Sequence, residues 1–182
     1  MLLIPGELIA LLTFPGVVFH EFAHQVGCWL SGVGVHKVCY FRLSNPSGYV
    51  LHEGVEHLHQ SLLIVFAPPV LGYGAAIILA MIADSIGASI VGSVLVWLSI
   101  SVSMNALSSD SDIDSLWQML RGFVVVEYLG EHYVVEYSSP LLYRIVLFPL
   151  GGLVKLVNAL RPVWIDAVIS FLIIFSLVGW WD

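Results

Sequence analysis

His20, Glu21 and His24 stand together in the segment FHEFAHQ. On a helix, residues i and i+4 share a face, so the two imidazoles can grip one metal ion. Glu21 follows the first of them and can reach a metal-bound water as a general base. That residue pattern points to metal-assisted hydrolysis. The rival reading is a buried polar cluster that pairs helices.

Two histidines do not complete such a site, because a catalytic zinc normally takes three protein ligands and leaves one position for water. Two downstream stretches can supply the third. One is the cluster His52, Glu53, Glu56, His57 and His59. The other is MNALSSDSDID, residues 104–114, with Asp110, Asp112 and Asp114.

The elements that must position these groups are greasy. The 182 residues are 59% hydrophobic and 10% charged, whereas a soluble domain carries about a quarter charged residues. This composition implies the lipid bilayer as solvent. Six Lys+Arg face thirteen Asp+Glu with no basic run, which argues against a nucleic-acid partner. Two cysteines, Cys28 and Cys39, exclude a disulfide framework. The opening MLLIPGELIALLTFPG lacks a basic n-region and does not read as a secretory signal.

A spanning helix needs roughly 20 mostly apolar residues. Spans are expected at about 8–31, 60–83 and 86–107, with two further candidates at 140–160 and 163–181. Val35 to Leu51 reads as a β-hairpin turning at Pro46 and Gly48. The Val- and Tyr-rich stretch 123–137 suits a second hairpin or an amphipathic helix. The expected fold class is therefore an all-α multi-pass membrane protein with a short β-hairpin. Residues 1–116 form its core, and 117–182 add a linker and about two membrane helices. A carboxylate and two imidazoles inside a span are costly, about 2.5–3.5 kcal/mol for a central charged residue on insertion scales. Placing His20, Glu21 and His24 there favours a functional role.

His20 to His24 lie about 14 Å from the end of the first span, at 1.5 Å per residue. The first and third spans end on the same side, so an aspartate after the third can meet them if the chain unwinds near Asn105 to Ser109. Irregular backbone at that depth is tolerated only against protein or a water-filled cavity. The 52–59 cluster starts on the same side. Phe14-Pro15-Gly16 should bend the helix, either admitting water beside His20 or as an ordinary kink. Lys37, Arg42, Arg121 and Arg144 fall on one side, and Lys155 and Arg161 on the other, which places the loops after the first and third spans in the cytoplasm.

His20-Glu21-Phe22-Ala23-His24 in a first apolar span resembles the site-2 protease family of intramembrane zinc metalloproteases. GYVLHE (48–53), followed by a span containing Ala67-Pro68-Pro69, is similar to a smaller prokaryotic branch of it. In that branch the third element reads approximately Asn-Ala-Phe-Pro-Ser-x-x-Asp. Here it is Asn105-Ala106-Leu107-Ser108-Ser109-Asp110-Ser111-Asp112, with Ser108 in place of the proline. The resemblance covers about residues 7–116 and implies a three-span core with a short β-element. It implies zinc (Zn2+) held by His20, His24 and Asp112, with Asp110 the alternate third ligand, Glu21 catalytic and Asn105 orienting the substrate.

The expected function is an intramembrane zinc endopeptidase that hydrolyses membrane-protein or peptide substrates in or next to the bilayer. It would sit in a prokaryotic cell membrane with its site nearer the cytoplasmic face. The alternative is a non-catalytic zinc-binding membrane protein, a sensor or transporter component, using His20 and His24 with His52, His57 or His59.

Overall fold

The structure is a computed structural model that describes residues 6–121, 123–128, 131–136 and 165–177, with single positions at 149, 152 and 156. The described chain is mostly helical. Helices α1 (Gly6–Leu12) and α2 (Phe14–Ser31) are separated only by Thr13. A hairpin follows, β1 (Val35–Cys39) with β2 (Tyr49–His52), then α3 (Leu58–Ile86), α4 (Ile90–Met104) and α5 (Asp110–Arg121). Strands β3 (Phe123–Tyr128) and β4 (Glu131–Glu136) pair antiparallel, so of the two expectations for this stretch the described residues form strands rather than a helix. Helix α6 (Ile165–Leu177) packs against α4 and α3. The helix expected at 140–160 lies outside the described residues.

At 29 residues, α3 is long and apolar enough to cross a membrane. Helix α4 is shorter than the span expected at 86–107, because both of its ends are fixed locally. Ser89 caps it by accepting a hydrogen bond from the Gly92 amide at 3.0 Å, and Asn105 closes it. Its 15 residues span about 22 Å.

Small residues fill many of the contacts between the helices. Fully buried positions include Ala23, Ala76, Ala80, Ser99, Ser101 and Ser103, while Leu30, Val70 and Ile90 stand exposed. Small residues let helix backbones approach, and hydroxyls bond across the gap. Ser99 Oγ, for example, donates to the Ala76 carbonyl at 2.7 Å. Two glycines mark the closest approaches. A Cβ on Gly16 would lie 1.9 Å from the Ser101 carbonyl oxygen of α4, and one on Gly27 would lie 2.8 Å from Ile64 Cα of α3. Helix α2 is thus clamped between α3 and α4.

Pro15 lies in the first turn of α2, where a missing N–H is tolerated. The chain break falls at Thr13, and α4 fills it. Ser101 Oγ donates to the Thr13 carbonyl at 2.9 Å and accepts from the Gly16 amide at 2.8 Å. The bend is therefore a polar joint between helices.

Candidate metal centre

Both histidines of α2 reach a backbone carbonyl of a different element. His20 Nδ1 lies 2.6 Å from the Asn105 carbonyl oxygen, just past the end of α4. His24 Nδ1 lies 2.9 Å from the Ile64 carbonyl oxygen of α3. A carbonyl only accepts, so each Nδ1 carries the proton and donates. That fixes both tautomers and leaves both Nε2 lone pairs pointing inward, 3.1 Å apart. Metal-binding histidines are oriented in this way, with the other ring N–H given to a carbonyl or carboxylate.

Asp112 completes the group. Its Oδ2 lies 3.3 Å from His24 Nε2. The ligand atoms of His20, His24 and Asp112 all fall within 4.8 Å of one another. Two facing lone pairs beside a carboxylate repel unless a cation stands among them, either a proton on one ring or a metal ion. The three residues could hold a metal ion. Burial works to raise the Asp112 carboxyl. A proton on His24 Nε2, which would both donate to the carboxylate and carry charge beside it, outweighs that together with the hydrogen bonds from Ser109. The group is held below the usual carboxylate range.

Local sequence places Asp112. Residues 105–109 are unwound, as the meeting of the two segments requires, and α5 starts at Asp110. Ser109 and Asp112 form a reciprocal capping pair. The Asp112 carboxylate accepts from the Ser109 amide at 2.8 Å and from its hydroxyl at 2.6 Å, while the Asp112 amide donates to Ser109 Oγ at 3.3 Å. Ile113 and Leu116, on the apolar face of α5, pack against Val65 and anchor the helix on α3. The Ser-x-x-Asp spacing is shared by Ser109–Asp112 and Ser111–Asp114, so the signal that singles out Asp112 is the family-like run from Asn105.

Asp114 is exposed, and the Asp110 side chain lies outside the described residues. His57 and His59 stack with ring centroids 5.4 Å apart at the exposed start of α3, and Glu53 and Glu56 are also exposed. Among the described residues, none of the 52–59 cluster joins the metal-binding group.

Glu21 is buried, 8% exposed, on the same helix. The hairpin lies over it. A Cβ on Gly48 would come within 2.6 Å of Glu21 Cγ and 2.7 Å of its Oε1, so the loop approaches this carboxylate as closely as a glycine allows. Tyr40 OH donates to Gln25 of α2 and helps dock the hairpin. Asn105 plays a part that residue type did not disclose. Its amide nitrogen donates to Thr13 Oγ1 at 3.1 Å and to the Ser101 carbonyl at 2.9 Å, within the α2–α4 joint. What Asn105 gives the site directly is its backbone carbonyl, which orients His20.

Comparisons with protein-family models, with curated proteins and with solved structures find no match.

Proposed function

We propose that this protein is a multi-pass membrane zinc endopeptidase, similar to the site-2 proteases, that cleaves peptide bonds within or beside the bilayer. The observation that carries this reading is the pair of inward Nε2 atoms 3.1 Å apart, with both Nδ1 atoms committed to carbonyls and Asp112 alongside. His20, His24 and Asp112 would hold the metal. A bound zinc supplies Lewis acidity and brings the pKa of a coordinated water down to about 7.

Glu21 is the one buried carboxylate beside this group in the motif, and its work is proton transfer. Its carboxylate takes the proton of the attacking water and returns it to the leaving amine. The packing of Gly48 on Glu21 restricts where that carboxylate can swing. Asn105 and Ile64 act through their carbonyls, holding each imidazole so that Nε2 faces inward.

The exposed apolar side chains and buried serines and alanines support lipid as the surroundings of α2, α3 and α4. Helix α5 packs on Val65 near the start of α3, and the hairpin docks near the end of α2. Helix α5 and the hairpin strands thus lie toward one end of the bundle, the end that the charge distribution assigns to the cytoplasm. The turn of the hairpin runs back along α2 past Glu21 to Phe14, whose ring centroid lies 6.0 Å from that of Phe41.

A closed fourth ligand, or a continuous polar pore along the site, would favour the sensor or transporter reading. Among the described residues the group has three members, which favours a site with an open position. Metal analysis of the purified protein tests the assignment. One zinc per chain, lost on Asp112→Ala and kept on His52→Ala, His57→Ala and His59→Ala, is the expected result. Retention in Asp112→Ala with loss in any of the three histidine variants moves the sensor reading ahead.

A further inference from the structure

Pro68 and Pro69 sit in the middle of α3, within an unbroken helix. In a helix the carbonyl of residue i accepts the N–H of residue i+4. Proline has no N–H, so Pro68 leaves the Ile64 carbonyl without its helical partner and Pro69 leaves that of Val65. A buried carbonyl needs a donor. Both carbonyls have one, and both donors belong to the metal-centre architecture. The Ile64 oxygen accepts from His24 Nδ1 at 2.9 Å, and the Val65 oxygen accepts from Ser108 Oγ in the unwound segment that leads to Asp112. Pro68 is fully buried. Gly27 brings α2 close enough for His24 to reach the opened carbonyl.

We infer that Pro68 and Pro69 are positioning residues of the metal centre, each vacating one α3 carbonyl so that Pro68 orients the His24 ligand and Pro69 seats the Ser108–Asp112 segment. The inference rests on the metal-site reading above. Replacing Pro68 by alanine restores an N–H to Ile64, which competes with His24 for the same oxygen. Alanine also removes a helix breaker, so the helix itself should not suffer. A purely structural role for the proline predicts that melting and metal binding move together. A positioning role predicts that they separate.

The test measures zinc affinity by chelator competition, the absorption spectrum of the cobalt-substituted protein, and the thermal midpoint, all on the full chain in detergent. Pro68→Ala should bind zinc about tenfold more weakly, the loss typical of removing a metal ligand's hydrogen-bond partner. Its cobalt spectrum should shift while its melting stays level or rises. Pro69→Ala should also weaken zinc and shift the cobalt spectrum, through Asp112 rather than His24, and Ser108→Ala should add nothing further in its background. Zinc affinity within twofold of wild type in Pro69→Ala overturns that half of the inference. Pro68→Val, which restores the same N–H and nearly keeps the buried side-chain volume, is the second variant should the alanine protein fail to fold. Zinc affinity within twofold of wild type in these Pro68 variants overturns the inference, as does a loss of affinity that merely follows a lowered midpoint. A wild-type protein that takes up no zinc or cobalt overturns the metal reading itself.

Discussion

His20 and His24 present their Nε2 atoms to each other at 3.1 Å, each ring anchored through Nδ1 to a carbonyl from a different part of the bundle. One carbonyl, from Asn105, stands where α4 unwinds. The other, from Ile64, stands one turn before the paired prolines of α3. The metal-binding face of α2 is thus set by its two neighbours, and a shift of either helix would turn an imidazole away.

The capping pair at the start of α5 should matter to the metal as well as to the fold. Ser109→Ala removes one hydrogen bond to the Asp112 carboxylate and the acceptor for the Asp112 amide. We expect a loss of about 1 kcal/mol in stability and of about tenfold in zinc affinity. Chemical denaturation and chelator competition measure the two. Ser115→Ala, one turn further along α5, whose hydroxyl bonds only the Ser111 carbonyl, should change neither by a comparable amount.

Gly48 separates proton transfer from metal binding. The Cβ of Gly48→Ala would meet the Glu21 side chain, and that of Gly48→Val more severely. A displacement near 1 Å at a reacting group can cost about 100-fold in rate. Peptide cleavage by Gly48→Val should fall by that order while one zinc per chain remains. Unchanged cleavage would show that Glu21 works from another position.

Overpacking the helix contacts should destabilise without touching a ligand. Gly16→Ala drives a methyl into the Ser101 carbonyl at the α2–α4 joint, at a cost of about 1–3 kcal/mol. A lowered thermal midpoint checks this. Gly74→Ala, where nothing lies within 4 Å of the added Cβ, is the matched control.

Membrane orientation has its own check. Lys37 lies on β1 and Ser115 on α5, and the reading places both on the cytoplasmic side. Lys37→Cys and Ser115→Cys, each on a background without Cys28 and Cys39, should label from the same face with a membrane-impermeant thiol reagent. Labelling from opposite faces would break the arrangement that brings Asp112 to the histidines.

The parts of this site legible in the sequence were those with a local period. The i, i+4 spacing of His20 and His24 depends only on helix geometry, and the first hairpin was visible as a β-rich stretch around turn residues, while the stretch 123–137 left a hairpin and a helix open. The unwinding at Asn105–Ser109 followed from the depth of the histidines and the need for a third ligand. The length of α4 was less legible, because apolar composition marks a hydrophobic stretch without marking the cap at Ser89 and the stop at Asn105. The parts played by Asn105 and Pro68 were not legible. Each acts through a backbone carbonyl whose partner lies 40 or more positions away, as from Ile64 to His24 and from Asn105 to His20. Residue type says nothing about such a partner until the helices are packed.

The central claim is that a metal ion and Glu21 divide the work of peptide hydrolysis, and Glu21→Gln addresses it most directly. Glutamine keeps the shape of the side chain and removes its capacity to take a proton at neutral pH. With wild-type protein cleaving a transmembrane peptide in detergent or liposomes, Glu21→Gln should retain one zinc per chain and lose cleavage by at least about 100-fold, the lower end for a general base. Cleavage at the wild-type rate by the zinc-loaded Glu21→Gln protein would contradict the account.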